Sequence, residues 1–388
     1  MTRRAGRLWF WGSATAALAL HALLLFGGEG LHGGGDLGPH LRLIQRMGDA
    51  PALRNVYPPA YHALGALLAP WVGLALFPKL FALASAAALI GGFRTFQRAA
   101  GLPDAAAAIF AWAPYTFALS WCLPKIEVAG YALALAALGQ LSRRRYPALA
   151  LLVVATFAVH TAAALFLGLC GGVMALAQRD RRALLALAAG TLAATPLFAA
   201  HLAAGCTLAQ ALLFSHGDYL RTADRPGSLA NWASLLALAS PVALGAALFG
   251  APALWRERRP VALTCGVVVA LYLNELWLAP FGARTTLDLM RGLTVLAVPV
   301  SIAAGIGLAK HPRWAAAVIA ACAVWAIGVA ALVVPGSCSV RPIDLAGVEA
   351  LSVDRCTFRW KAPRGRTLRR ESPALSPPGL PARRAGRG

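Results

Sequence analysis

The sequence predicts an all-α, polytopic integral membrane protein with about 11 transmembrane helices and an outer first loop carrying short interfacial helices. Two observations carry this reading. The chain is 59% hydrophobic and only 13% charged, with a mean hydropathy of +0.64. Globular chains run near ~25% charged residues, so too little charge is present here to cover a single water-exposed globule. Apolar stretches of about 17 to 22 residues also recur between short basic clusters, matching the ~20 residues a helix needs to cross a bilayer. Membrane β-strands would instead be alternating segments of ~10 residues, and none is visible.

The formal net charge of +21 invites a nucleic-acid reading, which its distribution argues against. Most of the excess Lys and Arg falls in loops assigned to the inner side, where positive charge orients helices. Such a basic face suits anionic lipid headgroups, and no basic-aromatic domain exists to dock a nucleic acid. The seven cysteines show no CxxC or metal spacing. Cys170, Cys265 and Cys322 read as small core residues. Cys338 and Cys356 could pair if their segment lies outside the cytosol.

Taken in order, Arg3, Arg4 and Arg7 precede an apolar run over 8–28. The run is long and no small-x-small cleavage site follows, so it reads as a signal anchor with its N-terminus inside. Residues 29–76 then form the outer first loop. Residues 58–97 would accommodate two crossings, but only one (77–96), preceded by an interfacial helix over 60–71, keeps Arg94 and Arg98 inside. Further crossings follow over 103–121, 126–141, 147–159, 161–177, 183–203, 232–254, 261–278, 293–309 and 314–334. The membrane domain is thus 1–334. A small outer segment of mixed polarity covers 335–360. The Pro/Arg/Gly-rich tail 361–388 has too little apolar surface to fold. No internal repeat suggests the inverted halves of a transporter.

Sorting polar residues by side concentrates the chemistry. His32, His40, His62, His201 and His216 fall outside, as does His160 at a helix end, whereas only Asp104, Asp180 and Glu257 among the acids fall inside. Asp36 follows Gly33-Gly34-Gly35, which permit a tight turn that exposes the carboxylate. It is a candidate general base or metal ligand, or a turn residue capping the helix that begins near His40. Glu127 opens the helix 126–141, where a carboxylate suits the helix dipole. Paired with Asp36 it could deprotonate an acceptor hydroxyl or hold a divalent cation; otherwise it balances the dipole or Lys125. Arg284 and Arg291 flank Asp288 and could grip a lipid phosphate or anchor the interface. His160, at the turn of a short hairpin, reads as a satisfied helix-end residue, and the stretch 215–219 is a weak acceptor-loop candidate. No Walker loop, HExxH or nucleophile-elbow motif occurs.

Asp36-x-x-x-His40-Leu41-Arg42-x-Ile44, then Gly48, then Tyr57-Pro58-Pro59-x-x-His62-x-Leu64 resembles the first extracytoplasmic loop of the GT-C superfamily, multi-pass glycosyltransferases that use polyprenyl-phosphate sugars. The resemblance continues through Phe93-Arg94 to Arg98-x-x-Gly101, Ala113-Pro114 and Glu127, over roughly the first 180 residues. It implies that Asp36 is the catalytic carboxylate, with Glu127 a second active-site acid. It places His40, Tyr57 and His62 with the substrate, and Arg284 or Arg291 on phosphate. Asp36 stands alone where the pattern carries paired acids, so a divalent cation such as Mg or Mn would rely on Asp36 and Glu127. The chain also lacks a large soluble C-terminal domain, which points to transfer of a single sugar rather than an oligosaccharide.

The leading expectation is therefore an inner- or plasma-membrane enzyme with a cytoplasmic N-terminus. It moves one sugar, with inversion, from a polyprenyl-phosphate donor to an envelope glycan, lipid or protein acceptor on the outer side. The competing class is a transporter or flippase for a lipid-linked or small solute, which would place ionisable residues deep within helices. A scaffold role in an envelope-assembly complex is the third.

Overall fold

The structure is a computed structural model and describes residues 3–27, 40–41, 44–45, 47, 59–113, 126–197, 240–273, 289–332, 351–354 and 357–360. Its helices, in chain order, are α1 (Arg3–Phe26), α2 (Ala60–Val72), α3 (Leu76–Ala99), α4 (Asp104–Ala111), α5 (Ile126–Ser142) and α6 (Tyr146–Val159), followed by α7 (Thr161–Ala177), α8 (Arg181–Ala193), α9 (Pro241–Glu257), α10 (Arg259–Tyr272), α11 (Leu289–Lys310) and α12 (Pro312–Leu332). In the tail, β1 (Leu351–Asp354) pairs antiparallel with β2 (Thr357–Trp360), Leu351 opposite Trp360. The alternation Leu-Ser-Val-Asp suits a strand, so the body is helical as expected and the segment 335–360 adds one short hairpin.

Local chemistry accounts for the helix starts. Pro147, Pro241 and Pro260 sit in first turns, where no amide donor is missed. Asp180 caps α8 by accepting from the Ala183 amide at 3.0 Å, and Ser240 caps α9 by accepting from the Ala243 amide. Five of the eight residues of the short α4 are alanine. These small side chains let residues 105–111 sit buried among α1, α3 and α11. The same economy brings α9 and α11 together, because Gly250 lies against the Ala303 carbonyl and the Gly307 backbone where any Cβ would collide. Close crossings over small residues are how helices associate when lipid removes the hydrophobic incentive.

The protein is a helical membrane protein. Large apolar side chains stand exposed along the helix flanks, with Leu192 at 75% and Phe249 at 83%, a surface that lipid covers and water would not tolerate. Among the described residues, the helices over Arg4–Phe26, Leu76–Ala99 and Pro312–Ala331 are long and apolar enough to cross a bilayer, and five further apolar helices have 10–17 residues. These lengths do not carry the expected count of eleven crossings. Flanks on which several of those crossings depend (114–125, 198–239 and 274–288) lie outside the described residues.

The bundle has two chemically distinct ends. At one, Arg94 of α3 pairs with Asp104 of α4 at 2.5 Å while its guanidinium lies 4.3 Å from the centre of the Phe10 ring. Arg258 donates to the Gly101 carbonyl at 3.3 Å, and Lys310 meets Glu257 at 2.6 Å. The Arg143–145 and Arg179–182 turns close helix pairs at this basic end. At the opposite end Lys79 lies over the Phe26 ring, and α2 follows the first loop as a separate helix, as its sequence predicts.

Candidate active site

At the end opposite the arginines, the first loop, α2, α5 and α6 meet in one apolar cluster. Leu41 and Ile44, one helical turn apart, are buried with Tyr61 of α2, Phe77 of α3 and Ile126 of α5, and Val159 of α6 packs against them. Gly65 makes room for this, since a Cβ there would lie 2.5 Å from Ile44 Cδ1 and 2.9 Å from Phe77 Cε1. The residues next in sequence to these anchors carry the chemistry: His40 beside Leu41, His62 beside Tyr61, Glu127 beside Ile126 and His160 beside Val159.

His40 Nδ1 lies 3.0 Å from His62 Nε2. One ring must donate and the other accept, so the two tautomers are set together. Tyr61 stands edge-on to both imidazoles, with ring centroids 5.9 Å and 5.2 Å away, and is 1% exposed. Burial pushes its phenol above the usual tyrosine range.

Glu127 and His160 form the second pair. The chain leaves α6 at His160 in an extended conformation (φ −160°, ψ 120°) and re-enters a helix at Thr161. This break turns the imidazole toward the first turn of α5, where His160 Nε2 lies 4.0 Å from Glu127 Oε2. Both side chains are buried, at 5% and 6% exposure. Gly130 permits the approach, because a Cβ there would lie 2.8 Å from the Cβ atoms of both His160 and Ala163. A buried carboxylate at this distance holds the ring's orientation.

The structure thus brings His40 to His62 and Glu127 to His160, all around one cluster. Asp36, Tyr57 and Arg284 lie outside the described residues, as does the proposed partnership of Asp36 with Glu127, and Arg291 is placed only as a residue in the first turn of α11. Among the described residues no group of three His, Cys, Asp or Glu could hold a metal ion, and Asp36, half of the expected cation pair, lies outside them. His160 is the residue that sequence reasoning undervalued. Its signal is present: two apolar helices meet there with neither Gly nor Pro at the break, and a buried imidazole in that place needs a partner.

A comparison with solved structures places the architecture. The chain is similar to ArnT from Cupriavidus metallidurans, with a TM-score of 0.55 and 18% identity, over 79% of this chain and 60% of that one. It is also similar to the arabinofuranosyltransferase AftD from Mycobacteria, with a TM-score of 0.49 and 17% identity, over 85% of this chain and 27% of that one. The chain therefore spans about 60% of the length of the first and about a quarter of the second. No family model matches it, and no curated protein does. The likeness to ArnT shows a GT-C-like fold.

Proposed function

We propose that this GT-C-like chain is a membrane glycosyltransferase that moves a single sugar from a polyprenyl-phosphate donor to an acceptor hydroxyl on the extracytoplasmic side. The observation that carries the reading is the meeting of the first loop and α2 with the start of α5 and the end of α6, which gathers His40, His62, Glu127 and His160. The gathering lies at the end away from the arginine turns, so the positive-inside rule puts it outside and the N-terminus in the cytoplasm. The fold is consistent with the same class, since the chain shares a GT-C-like fold with ArnT.

The reaction is one in-line displacement. Asp36 takes the proton of the acceptor hydroxyl as its oxygen bonds to the anomeric carbon, and the bond from that carbon to the donor phosphate oxygen breaks on the opposite face, which inverts the centre. Arg284 and Arg291 receive the negative charge that gathers on the departing polyprenyl phosphate. Glu127, the second acid, holds His160 at the edge of the site, and the His40–His62 pair positions the sugar or acceptor hydroxyls. The test is transfer from labelled polyprenyl-phosphate sugar in membranes carrying Asp36→Asn. Transfer falls by at least ~100-fold at unchanged protein level if Asp36 is the base; undiminished transfer would sink the assignment.

A further inference from the structure

Two turns at the basic end are built alike. Between α5 and α6, the Arg144 amide donates to Leu141 O at 2.9 Å and the Arg145 amide to Gln140 O at 2.9 Å. Between α7 and α8, the Arg179 amide donates to Leu176 O at 3.0 Å and the Asp180 amide to Ala175 O at 2.8 Å. Both are Schellman closures, whose left-handed position glycine fills at least cost. Here arginine fills it twice, with φ of 57° at Arg144 and 53° at Arg179. A non-glycine residue there is uphill by roughly 1 kcal/mol, so the backbone alone does not explain the choice.

The turns are tied to each other. The Tyr146 hydroxyl donates to Asp180, 3.0 Å from Oδ2 and 3.2 Å from Oδ1, while Asp180 also caps α8. This joins Arg143, Arg144 and Arg145 to Arg179, Arg181 and Arg182 in one patch. All six arginines are exposed, and among the described residues none is in an ion pair. That sets them apart from Arg94, Arg258 and Lys310 at the same end, which are engaged within the protein. Asp180, the acid between Arg179 and Arg181, is occupied by Tyr146 and the Ala183 amide.

We propose that these two tied turns form a docking surface for anionic phospholipid headgroups of the adjoining leaflet. The patch sits where membrane helices reverse direction, at headgroup level, and presents planar donors that match phosphate oxygens in pairs. Arg144 and Arg179 occupy left-handed positions because a guanidinium is needed there and a glycine cannot supply one.

That conformation also makes the test selective, since Arg144→Gly with Arg179→Gly removes charge while easing the backbone. The full-length wild type and double variant, purified in detergent, are titrated with phosphatidylglycerol vesicles, phosphatidylcholine vesicles and inorganic phosphate, and melting is followed in each. Wild type binds and is stabilised by phosphatidylglycerol over phosphatidylcholine. The double variant loses about 30-fold in that affinity, the equivalent of ~1 kcal/mol for each arginine near an anionic surface, and melts in phosphatidylcholine no lower than wild type. Equal response to the two lipids, retention of the preference by the variant, or early melting of the variant in phosphatidylcholine overturns the proposal. So does inorganic phosphate reproducing the effect of the lipid.

Discussion

Glu127 Oε2 and His160 Nε2 lie 4.0 Å apart with both side chains almost wholly buried, although 33 positions separate them in the chain. The contact exists because α5 starts and α6 ends at the same end of the bundle, and because Gly130 leaves room for the imidazole. A carboxylate and an imidazole so placed act as a unit, so removing either disturbs the position of the other.

Glu127→Gln and His160→Gln are therefore each expected to lower sugar transfer by about 10- to 100-fold, with the double variant little worse than the worse single one. Initial rates in membranes at matched protein level measure this. Multiplicative losses would mean that the two act separately.

Gly130→Val is expected to destabilise the protein by about 1–3 kcal/mol, since its Cβ would meet His160 and Ala163 at 2.8 Å. Gly172→Ala is the control. Its Cβ meets nothing within 4 Å, so helix propensity alone makes it neutral or stabilising by up to ~1 kcal/mol. Thermal melting of both variants in one detergent provides the comparison.

Asp104→Ala takes the carboxylate from the Arg94 guanidinium, which is 11% exposed and keeps, among the described residues, only Gln97 Oε1 and the Phe10 ring beside it, and is expected to cost about 3 kcal/mol. Arg94→Met with Asp104→Leu, which removes both charges, is expected to recover most of that loss. A double variant no more stable than Asp104→Ala would show that the charge pair is not the cause.

The exposed Lys310–Glu257 bridge predicts a small pH effect. Hydrogen bonding and charge from Lys310 hold the Glu257 carboxyl below its usual range. A depressed folded-state value means that the contribution is complete above the ordinary carboxylate range, near pH ~4.3, and is lost as pH falls through the folded value. The melting difference between wild type and Lys310→Met is therefore constant from pH 7 to pH 5 and shrinks below about pH 4. A difference that grows with acidity would contradict the assignment.

The fold was legible in the sequence to the extent that hydropathy is a local property. Runs of apolar residues ending in arginine mark helices and their basic ends whatever the neighbours are. The helix expected over 60–71 stands as Ala60–Val72 because its run of apolar residues is a local feature. The site was legible only as a list of candidates on one side. His40 and His62 were singled out, but not their 3.0 Å contact. His160 read as a helix-end residue because its partner belongs to another helix.

By itself the sequence determined a helical membrane protein, because apolar length is a property of each segment alone. Only the tertiary structure decided which polar groups meet. That depends on helix direction and on how closely backbones approach, and a single glycine such as Gly130 settles the approach without leaving any periodic mark in the chain. The paired turns at the other end teach the same point. Six arginines read as an orientation signal, and their tie through Tyr146 and Asp180 makes them one surface.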